Sequence, residues 1–474
     1  LGAEVKRNRV LGDVTGLFLG AGLLAAGPAW ADFGDVDTSF GNQVVPGFAI
    51  HDLGGNADSG VDMVTGLGDR LYALGVTCDA GTCLGNNELV LTRYSANGIV
   101  DTHFGASGDL VLDTNVVTDN YRLEVDDPHS RVYLATVGCD TVQCLIVVAR
   151  RDFTGALDSS YGTAGVTSLP TAPNNPSVLQ LLLQNNGKLL MLIEHDTINS
   201  SNVTVNTRFN IIRLNADGTP DDSWGDNGTV DVATPGGCDI GASMMLGRGP
   251  VLYVTAAKAS TCAGPYTPVL RRLTGVGALD PTFGSGGEVA GNFGKTGDFI
   301  ALVAQEQPNG QIAYGIGAIS GQDVAIDILK LDDDGTQDTS FTAQHGTYTH
   351  DPHFFALGNA PFQSDGKLVF NGQYTATGSS DSDEGLTRIA GSPLFAHPPR
   401  FAPFVRFAQA SDVVSEAAGT KTISVQLCAT DAATCNLVPT AQAITIPFTL
   451  GGDATPGVDY VTTSSVTIPA NASS

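Results

Sequence analysis

Charge is what this sequence is shortest of: 15% of its 474 residues are Asp, Glu, Lys or Arg, against about 25% in an ordinary globular domain. Basic residues are the scarcer kind, 23 Lys+Arg facing 49 Asp+Glu for a formal net charge of −26. A groove for nucleic acid or an anionic membrane would have to overcome that repulsive field, and no basic cluster exists outside the first ten residues. Partners with a phosphate backbone are therefore excluded. GxSxG, HExxH, P-loop and Rossmann fingerprints are all missing, and the 2 Trp and 4 Met form no cofactor-like cluster. Beyond the N-terminal segment no stretch reaches the roughly 18 apolar residues that a membrane helix needs.

What is abundant is glycine, with 58 residues, and apolar side chains, at 42% with 20 Phe. That supplies a sizeable core and argues against disorder. At the N-terminus, Lys6, Arg7 and Arg9 precede an apolar stretch over 14–26, and Pro28 precedes Ala29, Trp30 and Ala31. This is the pattern of a signal peptide cut after Ala31, which predicts a secreted or cell-surface protein. An uncleaved anchor is the alternative, although Asp13 interrupts the apolar start. Removing 1–31, with three basic and two acidic residues (Glu4 and Asp13), takes the net charge from −26 to −27.

The eight cysteines agree with export. Cys78 and Cys83, Cys139 and Cys144, and Cys428 and Cys435 are close neighbours, leaving Cys238 with Cys262. Zinc would want CxxC-like knuckles or nearby histidines, and these spacings are longer and poor in His. Four disulfides are predicted, Cys78–Cys83 and Cys139–Cys144 stapling the hairpin between the third and fourth strands of consecutive units.

Self-similarity is the strongest signal. DTSFG at Asp37 recurs as variants at Asp101, Asp158, Asp221, Asp280 and Asp338, at spacings of 57 to 64 residues. Arg93, Arg150, Arg213, Arg272 and Lys330 each lie five residues before a glycine and eight before the motif Asp. Gly108, Gly165, Gly228 and Gly287 lie seven residues after it. Midway, QNNGKL at Gln184, QPNGQI at Gln307 and QSDGKL at Gln363 sit between apolar runs, which marks hairpin turns. The second unit displays strands at 109–113, 121–125, 132–137 and 145–149. Four short strands in each of six units predict an all-β fold, a six-bladed β-propeller of four-stranded sheets over 32–391, with a β-solenoid as competitor.

These residues resemble the delta-60 repeat family, whose units carry an RYxxDGxxDxSFGxxG segment and a QPDGKIVVAG hairpin. The likeness covers about 37 to 391 and implies secretion and a repeat fold. Thr342 replaces the motif glycine in the last copy, the first copy lacks the downstream glycine, and LTRIAG at the end is followed by no further motif.

The motif residues have structural work to do. Its Asp is suited to accept hydrogen bonds from the following backbone and to pair with the basic residue eight positions earlier, while Phe40, Phe104, Tyr161, Trp224, Phe283 and Phe341 fill space between sheets. NADGTPDD at Asn215 and DDDGTQD at Asp332 read as tight turns rather than calcium loops, lacking the DxDxDG alternation and the late Glu. His345, His350, Asp351 and His353 in HGTYTHDPH read as an irregular loop rather than a zinc site.

Pro393, Pro398, Pro399 and Pro403 mark a linker over 392–403, after which alternating β-branched runs set an immunoglobulin-like rhythm. Residues 404–474 resemble a Calx-beta domain through SEAAGT around Glu416, GGDATPGVDY at 451–460 and VTIPANAS. A partial β-sandwich is implied, with Glu416 and Asp459 as a partial calcium site, since the chain stops before the family's final strands and acidic cluster. Together these features predict an exported or cell-surface binding and adhesion scaffold, non-catalytic, with calcium as the one expected cofactor and an extracellular protein or glycan as ligand. The alternative is a polysaccharide hydrolase or lyase, which needs convergent carboxylates or a His/Arg pair at the propeller centre.

Overall fold

A computed structural model of the chain describes residues 35–42, 44–54, 57–78, 87–116, 120–139, 143–171, 176–198, 204–235, 237–293, 299–307, 309–320, 323–342, 344–349, 351, 353–357, 360–379, 381–397, 404–407, 424–428, 444–447 and 465–468. Short alternating runs separated by glycine turns become antiparallel strands, because positive φ at glycines such as Gly187 and Gly310 lets the chain reverse within one turn. β1 (Phe48–His51) comes first in the chain but completes the last blade. The first blade is β2 (Ala57–Thr65), β3 (Leu71–Cys78), β4 (Asn87–Tyr94) and β5 (Asp109–Val116). The second is β6 (Tyr121–Asp126), β7 (Arg131–Cys139), β8 (Cys144–Asp152) and β9 (Val166–Thr171). The third is β10 (Pro176–Leu183), β11 (Leu189–Ile198), β12 (Thr204–Leu214) and β13 (Thr229–Asp231). The fourth is β14 (Cys238–Leu246), β15 (Leu252–Ala259), β16 (Thr267–Leu273) and β17 (Glu288–Ala290). The fifth is β18 (Phe299–Glu306), β19 (Ile312–Ser320), β20 (Asp323–Leu331) and β21 (Gln344–Thr349). The sixth joins β22 (Phe354–Leu357), β23 (Leu368–Tyr374) and β24 (Asp383–Ile389) to β1, in register from Phe48 opposite Thr387 to His51 opposite Glu384.

The fold is thus a six-bladed propeller of four-stranded sheets. Its strand frame differs from the sequence units by one strand. Residues 109–113, read as opening the second unit, are the outermost strand of the first blade, because DTHFG folds back on β4: Arg93 N–H donates to the Gly108 carbonyl at 3.1 Å and Asp101 N–H to the Arg93 carbonyl at 2.8 Å. The motif is therefore the connection from the third strand to the fourth. The same shift relocates the Cys139–Cys144 staple, which spans β7 and β8, the second and third strands of a blade, with Cα atoms 4.0 Å apart. Cys238 and Cys262 are bonded with Cα atoms 5.1 Å apart. Cys78 ends β3 and is disulfide-bonded. Its expected partner Cys83, and the Cys428–Cys435 pairing, lie outside the described residues.

Apolar cores sit between blades. Tyr133, Ile146 and Val148 of the second blade pack with Leu181, Leu189 and Met191 of the third around Tyr161. Innermost strands are tied through side chains: Asp62 accepts from Leu123 N–H at 2.8 Å, and Gln180 from Met244 N–H at 2.6 Å. Both residues follow a bulge in their strand, which re-aims the side chain toward the next blade. HGTYT, expected as irregular loop, is the strand β21, since its backbone pairs with β20 from Gln344 opposite Ile328 to Thr349 opposite Asp323. Pro393–Phe395, at the start of the expected linker, forms a 3-10 turn whose Phe395 is buried with Ala313 and Ile328.

The C-terminal region contains two antiparallel pairs, β25 (Phe404–Phe407) with β26 (Val425–Cys428) and β27 (Ile444–Pro447) with β28 (Ser465–Ile468). Leu427, Ile446 and Ile468 are buried there. Among the described residues these pairs are separate two-stranded sheets. No described helix is long and apolar enough to cross a membrane.

Candidate functional site

Four interior motifs each build a node between two blades. Arg150 Nε donates to Asp158 at 2.9 Å, its guanidinium lies 4.7 Å from the Tyr161 ring centre, and Nη1 reaches the Ala216 carbonyl of the next blade's turn at 2.6 Å. Ser160 N–H and Oγ close the Asp158 turn at 3.0 and 2.6 Å. Arg93 with Asp101 and Phe104, Arg213 with Asp221 and Trp224, and Arg272 with Asp280 and Phe283 repeat the arrangement. The next turn docks by its glycine: a Cβ on Gly218 would come within 3.0 Å of the Tyr161 ring, and one on Gly277 within 2.9 Å of Trp224. Hydrogen bonds from Ser160 outweigh the slight burial and, with Arg150, hold Asp158 below the ordinary carboxylate range. Asp217 and Asp334 accept from Thr219 and Thr336, so NADGTPDD and DDDGTQD are tight turns.

A fifth such node closes the ring. Arg388 of LTRIAG bonds Asp37 at 2.9 and 3.1 Å, lies 4.8 Å from the Phe40 ring centre and reaches the Ala96 carbonyl at 2.9 Å. Its motif was thus complete, split between the chain ends. Gly47 (φ 87°) supplies the downstream glycine that the first copy lacks at the regular spacing: a Cβ there would meet Val36, just as one on Gly108 would meet Val100.

Polar and acidic groups converge beside this closure. The start of β2 is held to the residue before β24 by Asp58 N–H donating to the Ser382 carbonyl at 2.6 Å. Asp58 Oδ2 accepts from Leu53 N–H at 2.6 Å, and Asp52 accepts from Gly54 N–H at 2.7 Å. One oxygen each from Asp52, Asp58 and Asp383 lie within 4.8 Å of one another, an all-oxygen set that a metal ion would suit. Deeper in, Tyr94 donates to Glu384 at 2.8 Å, and His51 Nε2 meets both oxygens of Asp109 at 2.9 Å. Burial pushes the Glu384 carboxyl up to about 7, against the pull of the Tyr94 hydroxyl and His51. Burial alone would lower His51, but the Asp109 carboxylate, with Glu384 and Asp52 nearby, holds it above its ordinary value.

Glu416 and Asp459 lie outside the described residues. The histidine group does not converge among the described residues: His345 pairs with Asp327, whereas His353 bonds Asp351 at 3.1 Å and Thr377 at 2.6 Å, and His350 lies outside them. Asp52, Asp58 and Asp383 were missed by sequence reasoning. The available signal was a pair of Asp-containing runs, HDLGGNADSG and SDSDEG, flanking the two ends of the repeat array.

A family model described as "Domain of unknown function (DUF5122) beta-propeller" matches residues 199–223. A delta-60-like repeat propeller fits both that match and the six blades. No curated protein matches the chain in sequence. Among solved structures, Drosophila Semaphorin 2a is similar at 10% identity and TM-score 0.35, covering 70% of this chain and 63% of that one. A GH43 endo-arabinanase from Bacillus licheniformis is similar at 12% identity and TM-score 0.31, over 57% of this chain and 92% of that one. Polysaccharide lyase Uly1 is similar at 9% identity and TM-score 0.35, over 69% and 76%. At these values none of the three bears on what this chain does. The propeller carries disulfides, consistent with an extracellular protein.

Proposed function

We propose that the chain is an exported or cell-surface scaffold that binds extracellular protein or glycan through repeated, weak contacts of its blade loops, without catalysis. The observation that carries this reading is the recurrence of exposed apolar side chains in the same connection of several blades. Ile99, Leu157, Val276 and Leu279 all stand out from turns between third and fourth strands. Several such turns presented by one ring suit multivalent contact, in which linked sites gain avidity without any single strong one. The motif's own charged groups are meanwhile committed to the nodes, and the inner-strand Asp62 and Gln180 to ties between blades. The Calx-beta resemblance adds calcium at Glu416 and Asp459 to this proposal.

Pull-down of the full chain on immobilised arabinan, a polyuronate and extracellular matrix protein, with reducing ends and unsaturated uronate followed in the same wells, tests the reading. Retention on one support without product, weakened by Leu157→Ser and Leu279→Ser together, is expected. Sustained release of product would replace the scaffold by the hydrolase or lyase alternative. Among the described residues, the carboxyls that burial raises to about 7, Glu194 and Glu384, belong to the third and sixth blades.

A further inference from the structure

The acidic group at the ring closure is built from three segments: Asp52 follows β1, Asp58 is the second residue of β2 and Asp383 opens β24. Asp58 is only 1% exposed; the Leu53 amide occupies Oδ2 and the Thr77 hydroxyl lies beside the carboxyl, while the enclosed Oδ1 accepts no hydrogen bond of good geometry. A buried carboxylate oxygen left without a partner is costly. The nearby His51 is paired with Asp109.

We infer that Asp52, Asp58 and Asp383 bind a calcium ion that clasps the N-terminal segment to the last blade. Three carboxylates supply only oxygen, which selects a hard cation over zinc or copper. Calcium accepts 6 to 8 oxygens in flexible geometry, so these side chains with water complete its shell, whereas magnesium demands near-octahedral positions. A bound ion offsets the buried Asp58 charge and relieves the repulsion among three carboxylates whose oxygens lie within 4.8 Å of one another. Because the three ligands come from either side of the closure, binding is linked to the closed ring and stabilises it by mass action.

The test uses the full chain, stripped with chelator, titrated with calcium in a calorimeter and unfolded thermally with calcium, magnesium or chelator. Calcium is expected to bind and to raise the unfolding midpoint by a few degrees, with magnesium much weaker. Asp58→Asn, which keeps the acceptor for Leu53, and the exposed Asp52→Asn should each weaken calcium binding by at least about tenfold. Glu416→Gln with Asp459→Asn should leave this binding and the midpoint shift intact, separating it from any calcium at the Calx-beta-like segment. If Asp58→Asn fails to fold, Asp52→Asn alone decides. No midpoint shift in the unaltered protein, undiminished binding in the Asp52 or Asp58 variant, or loss only in the Glu416/Asp459 variant would overturn the assignment.

Discussion

Two junctions of the ring lie beside the ends of the repeat array, and they solve the same problem differently. Between the sixth and first blades, Asp37, Phe40 and Arg388 form a full node although they come from opposite ends, and Phe40 is completely buried. Between the fifth and sixth, Lys330 stands 3.8 Å from Asp338, and Phe341 is only half-buried beside an exposed Thr342. What differs is the next blade's turn. Gly98 docks on Phe40, whereas after β24 the chain enters the 3-10 turn, and the glycine there, Gly391, faces Gly366 instead. Phe395 fills the gap instead, stacked on Phe362 at 4.4 Å and packed on Ala313, at a position where Tyr72, Tyr133 and Tyr253 stand in other blades. The motif is therefore a contract between neighbouring blades: it survives a break in the chain but not the loss of the neighbour's turn.

The largest expected effect separates these aromatics. Phe40→Ala should destabilise the ring by about 3–5 kcal/mol, as a fully enclosed Phe does, and Phe395→Ala should cost nearly as much. Phe341→Ala should stay within about 1 kcal/mol. Denaturant unfolding of the three variants checks this, and equal costs at Phe40 and Phe341 would erase the distinction between the junctions. Next in size are the basic residues. Arg388→Met leaves Asp37 with Lys367, 3.3 Å away, as its remaining cation and should cost about 2 kcal/mol. Lys330→Met, at a looser and more open pair, should cost about 1 kcal/mol or less by the same measurement.

Much of the ring could be read from residues. The Arg-to-Asp spacing foretold the pairs, the turn glycines the hairpins, and the recurring aromatic the inter-blade packing. What escaped was whatever depends on closure. LTRIAG looked like a strand with no motif because its Asp lies 351 residues away, and only a ring brings Arg388 to it. The strand frame was off by one for a related reason: periodicity fixes the length of a repeat but not where a sheet begins. Gly47 was overlooked because it occupies its structural place at a longer spacing. Asp52, Asp58 and Asp383 come from three segments whose meeting no local pattern encodes. Cys139 and Cys144 were legible as a pair because they are near neighbours, although their place in the blade shifted with the frame.

The smallest expected effect is in acid. Burial works against the Asp37 charge, but Ser39 and Arg388 hold its carboxyl below the ordinary value. Its contribution to stability is therefore present above the ordinary carboxylate range and is lost as pH falls through its lower folded value. Asp37→Asn should remove part of the acid dependence of the unfolding midpoint below about pH 4. Asp338→Asn, whose carboxyl is also lowered but whose cation Lys330 stands 3.8 Å away, should change that slope less.

The claim that the two chain ends rebuild one complete node is tested most directly by paired double-mutant cycles, Asp37→Asn with Arg388→Met and Asp158→Asn with Arg150→Met, read by denaturant unfolding. The two cycles should return coupling energies of similar size, about 1–3 kcal/mol each. Additive effects at Asp37 and Arg388, alongside clear coupling at Asp158 and Arg150, would contradict it.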